Sequence, residues 1–523
     1  MSKAEFKFFS VGQGLFHAGK ICLDEKSSDF FTFIYDCGSV QRPFLVKSID
    51  DCLAFFKGES KSISIKQIDF LFVSHLHKDH INGLNLLIDK LSQNHIKICN
   101  VVLPYVNLYQ RVVLLLDALE SKERSEDNSL NGRNHEYVDY IDFYKNPYTY
   151  IKKLIVKYDY SHDTNSFIYI VNAPTDCFTA DKYIPFKQSE FENKIIQEDR
   201  KEYSVDNYES NSFQDESKFI INFEERDKNA IDNKDDFDFI FDDFYSLYDE
   251  NKEKNSSFNY CKKAELKVAT DFLRIIIKNT WRFICFNTPL PSEKKVYAQS
   301  LFKEFKKITH TNGKKFRISD IFLQGNINRL RVHYNKMFSD FNSTSLLIYH
   351  FPTNDFLRKH SAFLLLGDVN LKSSVIYKQS NRFNKRKSFV EFLYERISPF
   401  QVKNIEKDNL VNYVLAPHHG SDRSWTTDIF KILKEKSVYI FSSSVNAEKH
   451  PGIVFVKSFL NNKIMLKDKI PDELRILFLP YPYPIDDFNC LFKFDNYLLW
   501  CNEYQFFKID IDGEISNVKS NSY

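Results

Sequence analysis

The sequence predicts a layered α/β domain split by a long segment of different composition, and three observations carry that expectation. Apolar stretches patterned as strands alternate with helix-patterned stretches over about residues 5–104 and again beyond about 340. The most distinctive polar motifs stand directly behind such apolar stretches, where strands end and loops begin. From about residue 105 to 340 the alternation lapses, and Asn, Asp, Glu, Lys and Tyr become frequent.

In chain order, Glu5–Ser10, Leu15–Leu23 and Phe30–Asp36 alternate apolar and polar positions. Gly12, Gly14, Gly19 and Gly38 punctuate them, which predicts a meander of strands, with Gly12 and Gly14 in a tight turn. Residues 42–57 have helical spacing. Ile68–Val73 reads as a strand, Ile81–Leu91 as a helix, and Lys97–Leu103 as a strand stopped by Pro104. In the middle segment, Ala264–Lys278 and Lys294–Lys307 have helical spacing and Trp281–Phe286 reads as a strand. Asp206–Asn255 is mainly acidic, which reads as a solvated surface.

Alternation resumes with strands at Thr344–Tyr349 and Ala362–Leu366, a helix at Ser388–Ile397 and a strand at Asn412–Leu415. Closing strands are expected at Leu474–Leu479, Cys490–Phe494, Tyr497–Cys501 and Gln505–Ile511, with a turn at Asp512-Gly513. The chain therefore divides into a first half, 1–104, a mainly helical insertion, 105–340, and a second half, 341–523. The insertion is expected to act as a lid or partner-docking surface, and its removal to leave the two halves able to pair.

Composition narrows the function classes. At 523 residues and 43% hydrophobic content, sizeable cores are affordable. Lys and Arg number 72 against 70 Asp and Glu, so no global basic footprint marks a nucleic-acid or anionic-membrane binder. The nine cysteines are odd in number, dispersed and without a CxxC pair, which argues for reduced thiols in the cytoplasm. No apolar run approaches the roughly 20 residues of a membrane span, and no secretory signal is visible.

The chemistry concentrates in His75-Leu-His77-Lys-Asp79-His80, directly behind the Ile68–Val73 strand. Imidazoles and a carboxylate suit zinc and related divalent ions, and a loop leaving a strand can aim alternate side chains at one point. One loop supplies too few donors for two ions, so further ligands are expected at later strand ends. Leu364-Leu-Leu-Gly367-Asp368 and Val414-Leu-Ala-Pro417-His418-His419-Gly420 provide them. His450, before Pro451-Gly452, is a candidate substrate-phosphate contact or leaving-group acid, and Ser421, Arg423 and Ser424 are candidate phosphate donors.

Taken in order, Val11-Gly-Gln-Gly14, Tyr35-Asp-Cys-Gly38, Ser74–His80, Asn342-Ser-Thr-Ser-Leu346, Leu366-Gly-Asp368, Pro417–Ser421 and His450-Pro451 resemble the metallo-β-lactamase-fold hydrolases. Within them the chain is most similar to the hydrolase domain of ComEC-type DNA-uptake proteins. The resemblance covers about residues 5–104 and 340–452 and implies a four-layered αββα sandwich. It implies His75 and His77 as ligands of one metal, Asp79 and His80 as ligands of a second, and Asp368 as the bridge. His419, before Gly420, would be the last second-site ligand, with His418 binding or orienting, and Asp36 would hold the loop from behind. One departure stands out. Many relatives have a further first-site histidine, and here His95, His135, His162, His310, His333, His350 and His360 fall in that interval without a recognisable context.

The resemblance implies one or two divalent ions, zinc or alternatively manganese, and a hydrolase using a metal-activated water with Asp79 orienting or deprotonating it. A phosphodiester substrate is expected, a small one or single-stranded DNA or RNA, because near-neutral charge disfavours long duplex contacts. The alternatives are a lactone or thioester hydrolase of the same fold, or a subunit active only within a multi-protein assembly such as a prokaryotic defence system.

Overall fold

The computed structural model describes residues 4–23, 29–57, 65–106, 140–145, 147–158, 166–171, 218–225, 264–278, 280–288, 345–353, 361–380, 383–398, 411–433, 437–444, 450–452, 498–501, 505–510 and 515–519, with scattered helical residues between them. The chain is α/β with mixed sheets. The first half holds strands β1 (Ala4–Phe8), β2 (Gly14–Cys22), β3 (Phe30–Ser39), β4 (Gln67–Phe72) and β5 (Lys97–Pro104), with helices α1 (Arg42–Lys57), α2 (Lys78–Ile81) and α3 (Leu84–Gln93). Helix α1 buries Leu45, Ile49, Cys52 and Phe56, and α3 buries Leu84, Leu87, Ile88 and Leu91, the stripes their helical spacing dictates. Strand β4 is buried on both faces: Leu71 joins the helix-side core, while Phe70 and Phe72 point the other way.

The middle segment contributes α4 (Tyr140–Lys145), α5 (Pro147–Tyr158), β6 (Ser166–Val171), β7 (Ile220–Glu225), β8 (Ala264–Ile277) and β9 (Trp281–Asn287). The second half contains β10 (Leu346–Pro352), β11 (Phe363–Leu365), the hairpin β12 (Ser374–Ser380) and β13 (Phe383–Ser388), α6 (Phe389–Ile397), β14 (Tyr413–Leu415), α7 (Ile429–Ile432) and β15 (Val438–Ser442). The strands β16 (Leu498–Cys501), β17 (Gln505–Asp510) and β18 (Ile515–Lys519) follow. Ser388 and Glu391 form a capping box that starts α6 where the sequence predicts a helix.

Hydrogen bonding joins the strands in the order β16-β15-β14-β11-β10-β9-β8-β6-β5-β4-β3-β2-β1-β17-β18, with β7 on β8 and β12-β13 apart. Strands at distant places in that order nevertheless touch. Phe6 of β1 lies 4.6 Å from Phe363 of β11, and Phe33 of β3 lies 5.1 Å from Phe283 of β9, between ring centroids. The path therefore folds back so that two runs of strands face each other across an aromatic core. A second core lies under α1, α3 and α5, and a third under α6.

The middle segment departs from the expected helical insertion. Strands β6, β8 and β9 sit between β5 and β10 in the main order, so this segment joins the two halves through hydrogen-bonded sheet. Ala264–Lys278, expected as a helix, is β8: Leu273, Ile275 and Ile277 alternate into the aromatic core, and β6 and β9 pair with it on either side. A short apolar run fits both periods, and the β-branched isoleucines with two available partners favour the strand. Replacing residues 105–341 by a linker would remove these strands, so the expectation that the halves pair without them is withdrawn. The closing strands Leu474–Leu479 and Cys490–Phe494, the Asp512-Gly513 turn and the acidic Asp206–Asn255, apart from residues 218–225 with β7, lie outside the described residues, and Lys294–Lys307 is described only at residues 300, 304 and 307, all helical. No helix among the described residues is long and apolar enough to cross a membrane.

Two histidines lie within the aromatic core. Trp281 Nε1 donates to His350 Nδ1 at 3.1 Å, which places the His350 proton on Nε2; His17 Nδ1 donates to the Lys7 carbonyl at 3.0 Å. Burial lowers the His17 pKa from 6.5 to about 3, partly opposed by that carbonyl, and burial with the neighbouring His17 lowers that of His350 well below its ordinary value. Both are neutral in the folded chain, whereas the unfolded chain protonates them below pH 6.5. Their contribution to stability is thus complete above pH 6.5 and is lost on acidification, by up to about 1.4 kcal/mol per pH unit for each group. Denaturant unfolding at pH 7, 6 and 5 should show this decline. His350→Phe should be less stable at pH 7, with the Trp281 N–H unpaired, but should lose stability less steeply below it.

Candidate metal centre

The loop after β4 is shaped by what lies beneath it. A side chain on Gly38 would meet the Asp79 carbonyl oxygen at 2.3 Å, and one on Gly14 would meet it at 2.9 Å. These glycines let the loop lie on the ends of β2 and β3, a further role for Gly14 besides the turn. Asn82 then clamps the arrangement: its Oδ1 accepts from the Ser39 N–H at 3.0 Å and its Nδ2 donates to the Ser39 carbonyl at 2.6 Å.

Asp36, fully buried with φ 58°, fixes the loop from behind. Its Oδ1 accepts from the Ser74 N–H at 2.6 Å, and its Oδ2 accepts from the Ser74 hydroxyl at 2.5 Å and from His80 Nδ1 at 2.8 Å. With Nδ1 committed, His80 presents Nε2 to the front, the arrangement by which a carboxylate orients a ligating imidazole. Ser74 Oγ also lies 2.9 Å from His75 Nδ1, which turns His75 Nε2 the same way.

The structure brings six predicted ligands into two groups of three, His75, His77 and Asp368, and Asp79, His80 and His419, with donor atoms in each group within 4.8 Å of one another. Asp368 faces both. Its Oδ2 lies 3.5 Å from His75 Nε2 and its Oδ1 lies 3.4 Å from His80 Nε2. His419 Nε2 lies 3.1 Å from Asp79 Oδ2. Among the described residues, the Nε2 atoms of His75 and His80 are buried without a hydrogen-bond partner, a costly condition that a bound cation would relieve. This donor set of four imidazoles and two carboxylates fits one or two divalent ions of the zinc or manganese type.

His418 belongs to neither group. Its Nδ1 lies 3.4 Å from Ser424 Oγ, and its ring stacks on that of His450 with centroids 5.4 Å apart. Both His418 and His419 have left-handed backbones, with φ of 50° and 55°. Together with Asp36 they are three of the five non-glycine residues of positive φ among those described, a concentration of strain of about 1–3 kcal/mol each at one site. Of the other histidines between the loop and Asp368, His95 is exposed after α3 and His350 is in the aromatic core. His135, His162, His310, His333 and His360 lie outside the described residues. Among those described, the first group therefore has three protein donors.

Burial lowers the pKa values of His77 and His418 to about 4, so both imidazoles are neutral near pH 7, the form that binds metal. Burial disfavours charge on Asp368 and Asp79 as well, yet the surrounding histidines hold both carboxylates well below the usual range, His80 and His75 for Asp368, and the hydrogen-bonded His419 with His80 for Asp79. Burial likewise opposes charge on His80, but Asp368 and Asp36 raise its pKa well above the ordinary value.

Sequence reasoning gave no role to Ser74 or to Ser345, whose Oγ accepts from the Asp368 N–H at 3.3 Å, although both stand in the quoted motifs, and it overlooked Asn82. Their signal was adjacency to the ligand motifs. It also overlooked Tyr144, whose hydroxyl donates to the Leu76 carbonyl at 2.5 Å, because no pattern links residue 144 to the loop.

No protein-family model matches this chain, and no curated protein matches it. The resemblance to metallo-β-lactamase-fold hydrolases therefore rests on the sequence motifs alone.

Asp36→Ala should weaken zinc binding by about tenfold to a hundredfold, read by competition with a chromogenic chelator, because His80 loses the partner that fixes its tautomer. Unchanged affinity would make Asp36 an ordinary turn residue.

Proposed function

We propose that this protein is a metal-dependent hydrolase of the metallo-β-lactamase fold that acts on phosphodiesters. The observation that carries the reading is Asp368, whose two oxygens face His75 in one ligand group and His80 in the other. The three cores, one between the facing strand runs and one on each outer side under helices, support the four-layered αββα arrangement. His75, His77 and Asp368 would hold one cation, and Asp79, His80 and His419 a second that shares Asp368.

Bound cations would supply Lewis acidity, the lowered pKa of water and a clamp for a phosphoryl group. The side chains account for the rest. Asp79 would hold the second cation through one carboxylate oxygen, which leaves the other to accept a hydrogen bond from attacking water. His450 stands beside His418 and His419, and burial followed by those two neighbours lowers its pKa to about 4. Near neutral pH it therefore suits donating an N–H to a phosphoryl oxygen better than releasing a proton to a leaving group. The net charge of +2 favours a small phosphodiester or a single strand over an extended duplex.

The test is turnover by zinc- or manganese-loaded protein of bis-p-nitrophenyl phosphate, single-stranded DNA, duplex DNA and RNA, with p-nitrophenyl acetate as the ester control. Phosphodiester cleavage is expected, and ester cleavage alone would move the protein to the lactone or thioester class. His75→Ala, Asp79→Ala and Asp368→Ala should each lower turnover by about a hundredfold or more and reduce bound metal, with the fold retained. An Asp79→Ala protein with full metal and turnover would refute the assignment. His419→Ala should lose one metal equivalent, whereas His418→Ala should keep its metal with a milder rate defect; the reverse pattern would exchange their roles.

A further inference from the structure

Helix α4 brings to the metal loop a group that no motif indicates. Phe143 and Tyr144 are buried and anchor the helix, and the Tyr144 hydroxyl bonds to the Leu76 carbonyl between His75 and His77. Tyr140 stands one turn earlier on the same face, its ring stacked on that of Tyr144 with centroids 6.2 Å apart and planes 20° apart. It is only half-buried, at the margin of the helix-side core, and no described residue hydrogen-bonds its hydroxyl. Burial, the negative charge of Asp79 and the neighbouring Tyr150 raise its pKa, and Arg42 at the start of α1 opposes them. Tyr140 is thus a neutral donor within electrostatic reach of a ligand carboxylate and a guanidinium.

We propose that Tyr140 is a substrate-contacting residue of the metal centre, its hydroxyl donating a hydrogen bond to an anionic oxygen of a phosphodiester held beside Asp79. The inference rests on the phosphodiesterase reading and sharpens it. A phosphodiester carries its charge on two non-bridging oxygens; when one faces the cations, the other needs a donor from the protein. A lactone or thioester has one carbonyl oxygen and no such second acceptor in its ground state. The role also gives the middle segment a place at the site, as a wall bearing a substrate contact.

Tyr140→Phe removes only the hydroxyl. In the full-length, zinc-loaded protein it should leave metal content and thermal stability unchanged while raising the dissociation constant for dimethyl phosphate, measured by calorimetry, about tenfold or more, the weight of one hydrogen bond to a charged acceptor. The kcat/KM for bis-p-nitrophenyl phosphate should fall in parallel, with no change for p-nitrophenyl acetate. Tyr144→Phe, which loses the Leu76 contact, serves as the structural comparison and should reduce metal affinity. Tyr140-dependent binding of dimethyl phosphate by a protein that turns over no phosphodiester would refute the hydrolase reading and leave this inference standing. Equal dimethyl phosphate affinity in Tyr140→Phe and the parent, no binding by either, or a loss of metal in Tyr140→Phe matching that in Tyr144→Phe would overturn it.

Discussion

The Asp36 carboxylate, closed off from solvent beneath the loop that follows β4, holds the candidate site in place. By accepting from the Ser74 backbone, the Ser74 hydroxyl and His80 Nδ1, it fixes where the loop starts and which way its last histidine faces. The same loop joins the facing strand runs: the Ser74 carbonyl accepts from the Leu346 N–H at 2.6 Å, and the Leu346 carbonyl accepts from the Tyr35 hydroxyl at 3.1 Å. Asp368, held by Ser345 just ahead of Leu346, therefore meets His75 and His80 in a fixed relation. A buried carboxylate with every bond satisfied rigidifies its surroundings, and here the surroundings are the ligands.

Much of this was legible in the sequence because the informative residues are close together along the chain. Ser74–His80 carries four of the six grouped donors, and a strand followed by a polar loop is a local pattern that tertiary context seldom overrides. Asp368 and His419 were legible for the same reason, each ending an apolar strand. Among the strands of the middle segment only β9 was legible, as Trp281–Phe286. Long polar stretches flank β6 and β7, and β6 pairs with β5 and β8, both remote along the chain. Helical spacing in Ala264–Lys278 competed with a sheet position that only the rest of the fold reveals. Tyr140 and Tyr144 escaped because helix α4 reaches the loop through space, with nothing in its own pattern to mark it.

The two sets of buried histidines show what environment does to one side-chain type. His17 and His350 are surrounded by aromatic rings, have no carboxylate beside them among the described residues and stay neutral as packing groups. His75, His80 and His419 are as deeply buried but converge on Asp368 and Asp79. Burial alone therefore does not identify a functional histidine; convergence with buried carboxylates does. The left-handed backbones of His418 and His419 add to that distinction, since strain is tolerated where a position matters more than its cost.

The central claim is that the two ligand groups form one centre for two cations with Asp368 between them. Anomalous diffraction from crystals grown with zinc tests it most directly, because it locates ions without reference to activity. The account predicts two anomalous peaks, one against His75, His77 and Asp368 and the other against Asp79, His80 and His419, each in contact with an Asp368 oxygen. Peaks confined to other surface sites, or none within reach of Asp368, would contradict it.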